Sequence, residues 1–134
     1  MNKTTISSAT LAEAAAEKFR YSIGVKSGNT VWISGQVALT SEGIVGVGDI
    51  TAQARQAFTN IKTIIESAGG SLDDLVSTTT YMTDPEFSSA INDVRREFIS
   101  PETPPTSTLL VVAGLARSEF LVEISAVAVI GSDA

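Results

Sequence analysis

Apolar and polar positions alternate along residues 21–37, "YSIGVKSGNTVWISGQV": Ile23 and Val25, then Val31 and Ile33, take every second place. The Gly28-Asn29 pair between them favours a tight turn, so the segment predicts a β-hairpin. From Ile50 to Ala68 the period changes. Ala54, Ala57, Phe58, Ile61, Ile64, Ile65 and Ala68 recur at helical spacing, with Asp49 or Thr51 placed to cap the start and Gly69-Gly70 to end it. Residues 75–83, "LVSTTTYMT", are rich in β-branched and aromatic side chains and predict a strand. A second helical pattern runs from Pro85 through Phe87, Ala90, Ile91, Val94 and Phe98 and stops before "SPETPP". Two strands follow, "STLLVVA" and "FLVEISAVAVI", joined by a turn near Gly114 to Ser118.

The order β-β-α-β-α-β-β predicts an α+β fold: one domain over residues 1–134, with a single sheet carrying two helices on one face. Residues 1–18 stand as an N-terminal segment before it. No internal repeat or linker interrupts the chain. The last strand presents Val122, Ile124, Ala126, Ala128 and Ile130 on one face and Leu121, Glu123, Ser125, Val127 and Val129 on the other. Two helices cover only one face of a small sheet, so an apolar second face calls for another subunit. Glu123 is the only charge in that strand, and an unpaired carboxylate among apolar neighbours is costly.

Composition narrows the chemistry. The 134 residues are 43% hydrophobic and 18% charged, with a formal net charge of −6. That charge repels phosphate backbones, which argues against nucleic acid as a partner. No apolar run is long enough to span a bilayer, and "MNKTTISSATLAEAAAEKF" lacks the apolar core of a signal peptide, so the expectation is a soluble, cytoplasmic protein without a membrane partner. The chain has no Cys and no His. Thiolate nucleophiles, His-based triads and Cys or His metal sites are thereby excluded, and acid/base work falls to carboxylates, Tyr, Lys or water.

The ordered combination of "VWISGQVA", "ITAQARQAFTNIKTIIESAGGSLDDLVSTTTYM" and "LVEISAVAV" resembles the Rid (YjgF/YER057c/UK114) family over about residues 19–130. The resemblance implies a chorismate-mutase-like fold, a homotrimer with ligand clefts between subunits, and no metal or cofactor. It also implies an enamine/imine deaminase, of the 2-iminobutanoate/2-iminopropanoate type, that hydrolyses a small reactive imine to a keto acid and ammonia. Carried over by position, the cleft tyrosine falls on Tyr21, the Ser-Gly pair on Ser34-Gly35 followed by Gln36, the helix asparagine on Asn92, and the glutamate that positions or activates water on Glu123. The family's carboxylate-clamping arginine falls on Ser107, and serine has neither the charge nor the reach for a bidentate ion pair. Altered substrate choice follows: either the substrate lacks the carboxylate, or another cation such as Arg20, beside Tyr21, takes the role.

Plainer readings stand beside these. Glu123 also fits an exposed strand end, Tyr21 a packed strand-start aromatic, Asn92 a solvated helix position, Ser34-Gly35 a bulge, and Ser107 a β-former. At the level of function, the alternative to a deaminase is a non-catalytic trimer that binds a small metabolite or acts as a chaperone-like partner. A ribonuclease is the third reading, weakened by the acidic composition and the lack of His.

Overall fold

The computed structural model describes residues 2–8, 11 and 13–131. Its strands are β1 (Lys3–Ile6), β2 (Gly24–Ser27), β3 (Thr30–Gln36), β4 (Leu39–Thr40), β5 (Gly43–Ile44), β6 (Leu75–Met82), β7 (Thr106–Val111) and β8 (Val122–Val129). The helices are α1 (Glu13–Phe19), α2 (Ile50–Ser67) and α3 (Ser88–Phe98). Six strands form one sheet in the order β1-β2-β3-β8-β6-β7, and β4 and β5 make a separate small ribbon. This is the α+β arrangement expected, with one main sheet and two main helices. The predicted hairpin is β2 and β3, paired antiparallel with Ser27 opposite Thr30.

Burial follows the alternation. Val122, Ile124, Ala126 and Ala128 of β8 are buried with Val31 and Ile33 of β3 and Thr78 and Thr80 of β6. Over this face lie α2, which packs on β8 and β3, and α3, which packs on α2. The Phe58 and Phe98 rings stack at 5.4 Å and join the two helices. Asp49 caps α2, its carboxylate accepting from the Ala52 amide at 3.0 Å. At the other end Gly69 takes φ +95°, the left-handed conformation that glycine adopts without a Cβ penalty, and the Gly70 amide closes on the Ile65 carbonyl at 3.0 Å.

Three features add to the expected arrangement. Residues 1–18 are more than a leading segment, because β1 extends the sheet beside β2, and Leu11 and Ala16 join the core. The second helix opens with a single 3-10 turn at Pro85–Phe87 before α3 begins at Ser88. The last two strands are not neighbours: β6 lies between them, pairing antiparallel with β8 and parallel with β7. The physical reason is α3. A helix between two strands of one sheet returns the chain to the starting end, so β7 must run parallel to β6 and residues 112–121 cross over to reach β8.

The opposite face of the sheet points away from α2 and α3. Trp32 is 49% exposed there, Leu110 45% and Val129 44%. Val127, opposite Trp32 in the register, shares that face with Tyr81 and Glu123.

Candidate functional site

Glu123 sits where β3 and β8 fall out of step. The two strands pair regularly from Thr30 to Ile33, then shift register so that Gln36 faces Ile124, leaving Ser34 and Gly35 in a bulge. The Glu123 side chain lies across that bulge. A Cβ on Gly35 would overlap its carboxylate, so the close approach depends on glycine. The Ser34 hydroxyl donates to the Ser22 carbonyl and the Ser34 amide to the Ile23 carbonyl at 2.9 Å. Both donors of Ser34 are thus spent tying the bulge to the chain before β2.

The bulge opens into a cavity of about 720 Å³. Tyr21, Ser34, Gly35 and Glu123 line it, with Ala15 and Phe19 of α1, Val37 and Leu39 after β3, and Ala116, Arg117 and Phe120 from the crossover loop. The walls are mainly apolar. Burial there pushes the Glu123 carboxyl above the usual carboxylate range, and among the described residues no cation or hydrogen-bond donor draws it back. A half-buried carboxylate of this kind can hold a water and exchange a proton with it.

Two buried side chains of α2 lie behind the cavity and hold the segments that form its walls, and sequence reasoning missed both. Gln53 is fully buried, and its amide donates to the Gly46 carbonyl at 3.1 Å and the Glu119 carbonyl at 2.8 Å while its oxygen accepts from the Leu121 amide at 2.9 Å. It thereby fixes the crossover loop just before Glu123. Asn60 holds the other wall, donating to the carbonyls of Val37 at 3.1 Å and Leu39 at 3.0 Å. Gln53, Ala57, Asn60 and Ile64 follow one helical stripe, so the available signal was a polar residue at a core position.

The remaining candidates lie elsewhere. Gln36 lines a small adjoining cavity, and its amide donates back to the Ser34 carbonyl at 3.0 Å. Arg20 ends α1 with φ +60° and is not among the lining residues; the cation on the cavity wall is Arg117. Asn92 is on α3, and Ser107 is on the edge strand β7, opposite Thr78 of β6. Thr78 is buried toward the helices whereas Glu123 is on the open face, so one chain does not bring Ser107 and Glu123 together.

Comparison with known proteins agrees with this architecture. The profile of the endoribonuclease L-PSP family matches residues 11–130, and the chain belongs to that family, the Rid family of the sequence resemblance. A RutC family protein of Pyrococcus horikoshii is 37% identical over 109 residues, covering 81% of this chain and 85% of that protein. A 2-iminobutanoate/2-iminopropanoate deaminase of Dermatophagoides farinae is 38% identical over 92 residues, 66% of this chain and 70% of the relative. Among solved structures, RidA from an Antarctic Psychrobacter superposes with a TM-score of 0.84 at 36% identity, covering 95% of this chain and 99% of that one. A YjgF/YER057c/UK114 family member from Mycobacterium tuberculosis gives 0.83 at 29% identity, covering 96% and 100%.

Proposed function

We propose that the protein is an enamine/imine deaminase acting on a small reactive imine, with Glu123 as the catalytic carboxylate. The observation that carries this reading is the half-buried Glu123 carboxylate, held over Gly35 in an apolar-walled cavity and raised in pKa by burial. The chemistry asks little more. Water hydrogen-bonded to Glu123 attacks the imine carbon, its proton passes to the carboxylate, and the C=N π electrons move to nitrogen, which takes up a proton. The carbinolamine then collapses: Glu123 returns its proton to the departing nitrogen, the C–N bond breaks as the hydroxyl oxygen forms C=O and releases its proton to water, replacing the one the nitrogen took up, and ketone and ammonia leave. A carboxylate whose pKa is lifted toward neutrality suits both transfers. Tyr21 shapes the mouth of the cavity and the Ser34-Gly35 bulge its floor.

Two copies are needed for a full cleft in this reading. Asn92 and Ser107 belong to the helix side of one chain and reach a substrate held by Glu123 only from a neighbour. The uncovered sheet face, with Trp32, Leu110 and Val129, supplies the apolar surface for that association. The family relationship favours a trimer. An RNA substrate fits poorly, since its phosphates would meet a carboxylate on a chain of net charge −6.

The test is hydrolysis of imines freshly released by an amino-acid oxidase, read as loss of semicarbazide trapping. Wild type should deplete the imine and Glu123→Gln should not, while both give the same assembly by light scattering. Equal activity of the two proteins would remove Glu123 from the mechanism.

A further inference from the structure

Arg95 is a half-buried cation with no anion beside it among the described residues. It lies on the apolar stripe of α3, four residues after the buried Ile91 and beside the buried Val94. Its guanidinium donates to the hydroxyls of Thr78 at 3.1 Å and Thr80 at 3.2 Å and lies 5.7 Å from the centre of the Phe58 ring. Burial holds its pKa below the usual value, and no carboxylate pairs with it among the described residues. A guanidinium has five N–H donors, and the threonine hydroxyls take two. Arg95 also borders a cavity of about 390 Å³ formed with Arg96, Ile99, Ser100, Pro101 and Pro104, and Arg96 is exposed and paired with Asp93 at 2.8 Å.

Further polar groups lie close to the guanidinium. Thr78 and Thr80 stand opposite Ser107 and Leu109 in the parallel register, so the guanidinium is anchored beside the strand position that Ser107 occupies. Asn92 precedes Arg95 by three residues, on the same side of α3. Arg117, the cation on the Glu123 cavity, is a weaker anchor: its side chain is 58% exposed and 3.9 Å from Glu119, so it is already hydrated and shared.

We infer that Arg95 is the carboxylate-binding cation of this protein and that its ligand is a 2-imino acid, held in a site completed by Glu123 of a second copy of the chain. The identity of the ligand rests on the deaminase reading above; the carboxylate site rests on Arg95 alone. Arg95 and Glu123 lie on opposite sides of the sheet, so a small molecule touches both only across two copies.

The probe is 2-oxobutanoate, a stable 2-keto acid, titrated by calorimetry into wild type, Arg95→Met and Arg95→Lys. Replacing a charge-assisted hydrogen bond should weaken binding about tenfold to a hundredfold in Arg95→Met, with partial recovery in Arg95→Lys. Arg95→Met strands the buried Thr80 hydroxyl, so Tm should fall by a few degrees with the fold retained. Should that variant fail to fold, the Arg95 Nε–H resonance of wild type reads the same contact and must move on titration. Separately, Arg95→Met and Glu123→Gln, each impaired on a carboxylated imine at low concentration, should show wild-type activity in about a quarter of sites after mixed refolding, as random association at a two-chain site requires.

Absence of 2-oxobutanoate binding to wild type overturns the inference, as does binding lost in Arg117→Gln but kept in Arg95→Met. Full imine hydrolysis by Arg95→Met overturns it while leaving the deaminase reading intact. Arg95-dependent binding without imine turnover does the reverse.

Discussion

Gly35→Ala tests how closely catalysis depends on the bulge. The new methyl carbon would stand 2.7 Å from Cδ of Glu123, whereas non-bonded carbons rest about 3.5–4.0 Å apart. The carboxylate must therefore retreat by about 1 Å. The clash is with the far end of a side chain, and the cavity of about 720 Å³ gives it room to swing, so the fold should absorb the change. A shift of about 1 Å in a reacting group costs turnover about 100-fold, near 2.7 kcal/mol in the barrier. Steady-state imine hydrolysis and thermal unfolding, measured on Gly35→Ala, Glu123→Gln and the double variant, separate the two effects. The expected result is a large loss of kcat with Tm nearly unchanged, and no further loss in the double variant, because both substitutions remove the same contact. Full activity in Gly35→Ala, or losses that multiply in the double variant, would refute the reasoning.

Further outcomes follow from the same geometry. Between the ordinary carboxylate pKa and the raised pKa of Glu123, the folded protein holds a proton that the unfolded chain has released. Stability therefore falls as pH rises through that window, and Glu123→Gln should flatten this part of a Tm-against-pH profile. Replacing Gln53 with Leu strands the Gly46 and Glu119 carbonyls and the Leu121 amide; about 1–3 kcal/mol for each buried unsatisfied group predicts a loss of several kcal/mol in chemical denaturation. Asp49→Ala removes the α2 cap at a cost of about 1 kcal/mol, a shift of a few degrees in Tm. Trp32→Glu puts a charge on the uncovered sheet face and should shift the protein toward monomer in light scattering; an unchanged mass would place the subunit contact elsewhere.

Local physics was enough for much of this molecule. The period-two and helical patterns located β2, β3, α2, β6, α3, β7 and β8, because each is a segment whose own spacing decides which side is buried. The same alternation separated Glu123 from Ile124 and marked a second apolar face. The order of the sheet is different in kind: "STLLVVA" and "FLVEISAVAVI" are consecutive in sequence, and only the return path of α3 puts β6 between them. β1 and α1 went unread because Lys3–Ile6 is a four-residue edge strand whose pairing with β2 depends on contacts 18 to 24 residues away.

The candidate site divides along the same line. Residue types and their absences, no His, no Cys and one carboxylate in an apolar strand, were plain from the chain and directed attention to Glu123. Which cations and amides serve it was not, since Arg20 is adjacent to Tyr21 in sequence while Arg117 reaches the cavity from a loop nearly a hundred residues later. Gln53, Asn60 and Arg95 read locally as polar interruptions of helical stripes. Their partners are backbone groups and threonine hydroxyls, most of them 15 to 68 residues distant. A one-dimensional pattern reports whether a position is buried; what a buried polar group binds is decided by the neighbours that folding brings to it.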